Sequence, residues 1–296
     1  MDQKKFKKFV EDNPQLVSMK EYDEYPGLFV LRYKNRVFYD DLWNQYLEEC
    51  RGTIVDRDFN IVSRPFTKIY NYGIDKKSPK LDSTTMVDYF RKVNGFMVAV
   101  TWHNDQLLIS TTGSLISDFV QYARDIMNIP AFEKTCKENP TKTFMFECVH
   151  KEDPHIVPEA EGMYLLGYRE KSWDNSRIEY EDLDAFAYSF DCFFMVKRRA
   201  TIFDLLQFTK SAKHEGYVAY TDSGIAFKLK SPHYLVNKFF ARANSVNKLL
   251  DADVKKRVDE EFYPLVEYVR ENIDQFMVMP EQDRLEFTRD FLRKMV

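Results

Sequence analysis

The chain has 296 residues, 44% of them hydrophobic and 30% charged, so one large domain or two smaller ones can bury a core and stay soluble. No run approaches about 18 consecutive apolar residues, and the start, Met1-Asp2-Gln3-Lys4-Lys5, leads into mixed charge rather than an apolar stretch; neither a membrane span nor a secretory leader is expected. Lys and Arg number 43 against 47 Asp and Glu, a net charge of −4 that speaks against a nucleic-acid binder but leaves room for a local basic groove.

Residues 1 to about 20 read as an amphipathic helix ended by Pro14. Residues 28–70 alternate like strands, with a turn at Asp56–Asn60. Two apolar stretches, 96–101 and 106–111, flank His103-Asn104-Asp105 as a hairpin. Residues 115–138 read as helix, and strands follow at 143–149, 163–169, 216–221 and 224–230, the last two joined by Asp222-Ser223-Gly224. From about 232 onward apolar residues recur at three- and four-residue spacing (Val258, Phe262, Leu265, Val266, Val269, Ile273, Phe276), which predicts an all-helical tail. The expected fold class is α+β: antiparallel sheets with flanking helices over 1–235, then a small helical C-terminal module over 236–296. The four cysteines, Cys50, Cys136, Cys148 and Cys192, form no CxxC pair and suit reduced thiols.

Several short patterns carry chemistry. Lys92-Val93-Asn94-Gly95 precedes an apolar strand. A lysine nucleophile needs a deprotonated amine, which desolvation or neighbouring cations favour, and Gly95 permits close backbone approach to a nucleotide. In Ala226-Phe227-Lys228-Leu229-Lys230 the alternation of a strand puts both lysines on one face, as a polyphosphate requires. Glu215-Gly216 offers a carboxylate at a strand entry, suited to a ribose hydroxyl or a metal ion. Glu147 sits inside the apolar run Phe144–Val149, where a charge is costly unless paired or liganded. Upstream, Arg51 opens a strand in Cys50-Arg51-Gly52, and Lys68 lies among aromatics in Phe66-Thr67-Lys68-Ile69-Tyr70. Taken singly, each pattern has an ordinary structural explanation: a solvated lysine, a strand face, a loop glutamate or a structural ion pair. Cys148, His150 and His155 lie close in sequence but lack a fourth ligand at zinc spacing.

In this order, the patterns resemble the covalent nucleotidyltransferase superfamily of ATP-dependent nucleic-acid ligases and GTP-dependent capping enzymes. The likeness is greatest to RNA ligases of the phage RNA ligase 1 and fungal tRNA ligase type, and it runs from about residue 32 to 240. The resemblance implies that Lys92 takes AMP from ATP and that Lys228 and Lys230 serve the transferred phosphate. It implies that Arg51 and Lys68 serve the ATP phosphates, and that Glu147 and Glu215 divide ribose and metal binding, with the metal, Mg²⁺ or Mn²⁺, on Glu215. Residues 164–169 correspond to a motif in which no single residue is assigned. Many of these ligases carry Asp where this chain has Asn94.

The implied reaction joins an RNA 3′-hydroxyl to an RNA 5′-phosphate, in RNA or tRNA repair, with broken tRNA as one expected substrate. A monomer acting in the cytoplasm, of a host cell if phage-encoded, and no membrane partner are expected. A capping guanylyltransferase or DNA ligase is the nearest alternative, but both usually append an OB-fold where this chain is read as helical. A non-catalytic nucleic-acid-binding module would use the basic stretches Lys4-Lys5, Lys7-Lys8, Lys76-Lys77 and Lys197-Arg198-Arg199 without requiring Glu147 or Glu215. The net charge would then average two populations: Arg51, Lys68, Lys92, Lys228 and Lys230 converging in one cleft, and acidic residues such as those in 251–261 on outer faces and in the tail.

Overall fold

A computed structural model describes residues 1–153, 155–174, 177–242 and 246–295. The strands, in chain order, are β1 (Val17–Tyr22), β2 (Tyr25–Tyr33), β3 (Arg51–Val55), β4 (Ile61–Ser63), β5 (Tyr70–Asn71), β6 (Met86–Lys92), β7 (Phe96–His103) and β8 (Gln106–Thr111). They continue with β9 (Lys142–Val149), β10 (Gly162–Glu170), β11 (Phe193–Phe194), β12 (Arg198–Thr201), β13 (Gly216–Thr221) and β14 (Ala226–Lys230). The chain divides into two compact units. The first comprises Met1–Lys68, Gly95–Pro154 and Glu159–Met195; the second comprises Ile69–Asn94, His155–Pro158 and Val196–Val296.

The first unit holds two sheets, ordered β1-β2-β3-β4 and β11-β10-β9-β7-β8. Its first helix, Gln3–Asp12, is capped by the Asp2 carboxylate, which accepts from the Lys5 N–H, and it buries Phe6 and Val10 one turn apart. The β7–β8 hairpin turns at Asn104-Asp105, both with positive φ, a turn whose twist matches that of its strands. β9 is the middle strand of the second sheet, so Thr143 to Val149 are all buried and the period-two alternation vanishes. The helix expected over 115–138 is two helices, Asp118–Ile126 and Ile129–Glu138. The break follows from Pro130 in the first turn of the second helix, where proline fits, and from the extended backbone at Met127.

The second unit is built on the sheet β12-β6-β13-β14-β5. β14 alternates as expected: Phe227 and Leu229 are buried, and Lys228 and Lys230 share the opposite face. After β14 the described residues are helical, from Pro232–Arg242 through short 3₁₀ turns to Tyr263–Glu271, Ile273–Val278 and Glu281–Lys294. Leu235, Phe239, Phe262, Leu265, Val269, Phe276 and Leu292 form one apolar core there. The domain boundary expected at 235/236 falls inside helix Pro232–Arg242, which contributes Leu235 and Phe239 to that core. Among the described residues, no helix is long and apolar enough to cross a membrane.

Candidate active site

Strand register assembles the centre of the site. In the second unit, β13 pairs antiparallel with both β6 and β14, and Gly216 lies opposite Lys92 on one side and Lys230 on the other. The two lysines therefore flank a residue without a side chain, and Glu215, one position earlier, reaches both. Lys92 Nζ donates to Glu215 Oε2 at 3.0 Å, and Lys230 Nζ lies 3.7 Å from Glu215 Oε1. Gly216 has φ +140, and a Cβ there would run into the Leu229 carbonyl. Only glycine lets these strands close at this point.

Glu215 is 2% exposed. Burial pushes its carboxyl up, but Lys92 and Lys230 together outweigh that effect and hold it below the usual carboxylate range. Asn94 completes the arrangement. Its Nδ2 donates to Glu215 Oε2 at 3.0 Å, while its Oδ1 accepts from the Val157 N–H at 3.1 Å. An amide can donate and accept at once, whereas an ionised carboxylate only accepts. The departure from aspartate at this position thus has a local physical reason. Asn94→Asp would set two carboxylates against each other at this buried contact, and we expect it to lower stability at neutral pH by about 1–3 kcal/mol. Urea denaturation checks this; an unchanged midpoint would mean the amide contributes nothing.

The lysine pair on β14, which the sequence places on one face toward a polyphosphate, is met by carboxylates of the tail. Lys228 Nζ lies 3.4 Å from Glu260 Oε1, and Lys230 Nζ lies 2.7 Å from Glu261 Oε1. Lys238, on helix Pro232–Arg242, binds the same Glu261 oxygen at 2.6 Å and Asp259 Oδ2 at 2.6 Å. The acidic stretch expected on an outer face instead turns Glu261 inward, to 4% side-chain exposure. The reason lies next door: Phe262 is buried in the tail core, edge-on to Phe239 at 5.3 Å, and fixes where the preceding carboxylates point.

Arg51, Lys68, Gly95 and Glu147 belong to the first unit. The Gly95 N–H donates to Glu147 Oε1 at 3.1 Å, so the carboxylate inside β9 holds the strand entry three residues after Lys92. A Cβ on Gly95 would collide with the Cys148 carbonyl and with Glu147 Cγ. Lys68 is 9% exposed, its ammonium 4.7 Å from the Trp43 ring centroid and 5.5 Å from that of Phe38. Its N–H donates to the Glu48 carbonyl at 3.1 Å. Arg51 opens β3, opposite Arg32. Within residues 164–169, Tyr164 lies opposite Glu147 and packs on Phe193 at 4.9 Å, whereas Arg169 is buried against Glu49. His150 stacks on Tyr122 at 4.6 Å, and burial pushes the Cys148 thiol up to about 12, which makes it a poor metal ligand.

Sequence reading missed Lys238, Glu261 and the buried Glu49. The signal for Glu261 was the apolar Phe262 directly after three acids; Lys238 and Glu49 left none.

Residues 49–240 match a family model described as RNA ligase. No curated protein matches the chain. Solved structures similar to it include two of an archaeal ATP-dependent RNA ligase. One has TM-score 0.63 and 16% identity over 98% of this chain and 76% of that one; the other has 0.61 and 13% over 98% and 76%. An Aquifex aeolicus protein provisionally described as an ATP-dependent DNA ligase has TM-score 0.60 and 15% identity over 97% and 77%. At these identities the likeness is one of fold.

Proposed function

This chain belongs to the RNA ligase family, and on that premise we propose that it joins RNA 3′-hydroxyl and 5′-phosphate ends with ATP, through an AMP carried on Lys92. The observation that carries this reading is the register Lys92–Gly216–Lys230 with Glu215 bonded to the first lysine.

Lys92 leaves Glu215, gives its proton to solvent, and its Nζ attacks the α-phosphorus of ATP. A P–N bond forms, the P–O bond to pyrophosphate breaks, and pyrophosphate leaves. The AMP then passes to the RNA 5′-phosphate, and the RNA 3′-hydroxyl displaces it. Splitting the substitution this way replaces one difficult step with easier ones. Lys228 and Lys230 neutralise charge developing on the transferred phosphate, and Arg51 and Lys68 hold the outer phosphates. The Gly95 amide and Glu147 hold the ribose. Among the described residues no group of three or more His, Cys, Asp or Glu is placed to hold a metal ion, and magnesium commonly takes one or two carboxylates together with substrate phosphates. Glu215 would be the carboxylate that holds such an ion, and the ion would supply charge neutralisation on the phosphates.

Residues 1–235 carry the adenylation chemistry in this reading and 236–296 form the helical module. We infer broken tRNA as one substrate, and a monomer that acts in the cytoplasm. The test is ligation of a 5′-phosphorylated single strand with ATP and magnesium, RNA against DNA. RNA is joined and DNA is not. Labelling from GTP but not ATP, or joining of DNA alone, would overturn the reading.

A further inference from the structure

We propose that Glu261, from the helical segment, is a positioning residue for adenylyl transfer. It aims Lys230 at the transferred phosphate and so makes the tail part of the adenylation machinery. The inference rests on the reading above.

Lysine is a flexible stem with a mobile ammonium. At Lys230 that freedom is removed. Its side chain is 8% exposed, its ammonium bonds Glu261 Oε1 at 2.7 Å, stands 3.7 Å from Glu215, and lies 5.1 Å from the Tyr234 ring centroid. Glu261 is itself fixed twice, by Lys238 sharing the same oxygen at 2.6 Å and by Phe262 anchored in the tail core. Asp259 at 2.6 Å holds Lys238 from the far side. The result is an unbroken chain of charges, Lys92–Glu215–Lys230–Glu261–Lys238–Asp259, leading from the nucleophile into the tail.

A structural role alone predicts something different from a positioning role. Glu261→Gln leaves Lys230 and Lys238 sharing an uncharged amide and lowers stability. Glu261→Gln combined with Lys238→Met restores charge balance and keeps the apolar stem. If Glu261 only neutralises buried lysines, the double variant regains both the melting temperature and the rate of lysyl-adenylate formation. If it positions Lys230, the melting temperature recovers while the rate at saturating ATP stays about 10-fold or more below that of the parent chain, with KM for ATP changed less than kcat. Glu261→Asp keeps the charge but withdraws it by one methylene, and its rate falls between the two. It decides the matter even if the double variant does not fold: an unchanged kcat in Glu261→Asp, or a full recovery of rate in the double variant, overturns the inference. A parent chain that takes no label from ATP overturns the functional reading first, so the two failures are distinguishable.

Discussion

Lys92→Arg abolishes covalent labelling from ATP carrying a label on its α-phosphate, although it preserves the charge that pairs with Glu215 across 3.0 Å. An arginine guanidinium does not deprotonate in proteins, so it holds the ion pair but cannot attack phosphorus. Lys92→Ala removes the nucleophile as well and gives the same null labelling. The pair of variants separates the two things Lys92 does: Arg keeps the melting temperature close to that of the parent chain, whereas Ala takes the nearest cation away from Glu215 and lowers it. Both variants still seal RNA that already carries AMP on its 5′ end, because that last step needs no enzyme-bound adenylate. Label persisting in either variant would sink the assignment of Lys92, and loss of sealing on pre-adenylylated RNA would mean Lys92 does more than carry AMP.

The second large effect lies away from the reacting atoms. Glu49, at the end of helix Gln45–Glu49, is 4% exposed and bridges two fully buried arginines. Arg64 reaches it at 2.7 Å and Arg169 at 3.0 Å. Arg169 also donates to the Pro65 carbonyl at 2.7 Å, and Arg64 donates to the Ser172 carbonyl and lies over the Trp173 ring at 5.2 Å. This triad ties together the segments just before Arg51 and Lys68. Glu49→Leu takes the Glu49 charge away from two buried guanidinium groups and lowers stability by about 3–5 kcal/mol. Replacing all three residues by apolar ones recovers most of that loss, since the expensive element is the uncompensated charge. Chemical denaturation of the single and triple variants checks both statements; a Glu49→Leu variant as stable as the parent would remove the triad from the account.

The same triad has a pH signature. Burial pushes the Glu49 carboxyl up, but Arg169 and Arg64 together outweigh it and hold it below its ordinary value. A carboxyl depressed in the folded state contributes stability above its unfolded pKa and loses it as pH falls through the folded value. Acid destabilisation of the parent chain is therefore steeper than that of the triple apolar variant.

Much of the site was legible because its parts are local patterns. The alternation Phe227-Lys228-Leu229-Lys230 fixes which side chains share a face, and a glycine before a strand marks a close approach. Glu147 was conspicuous as a charge in an apolar run, and its bond to the Gly95 amide accounts for it. The acidic stretch near 259–261 misled for the opposite reason. Composition places such residues at the surface on average, but a single buried Phe262 reverses the orientation of Glu261. Glu49 left no trace, because its partners Arg64 and Arg169 lie 15 and 120 residues away, outside any local pattern, and meet it only after folding.

The sequence by itself determined the α+β class, the helical tail and the order of the reactive residues, since strand alternation, helical spacing and short motifs are properties of neighbouring positions. Tertiary structure alone decided the charge state of the site. The net charge of −4 averages over lysines that share buried carboxylates, Lys92 and Lys230 on Glu215 and Lys230 and Lys238 on Glu261, and such sharing depends on cross-strand register and on where the tail core seats Phe262. A buried charge survives only where a partner sits within a few ångströms, and that is a condition on three-dimensional neighbours that no linear pattern encodes.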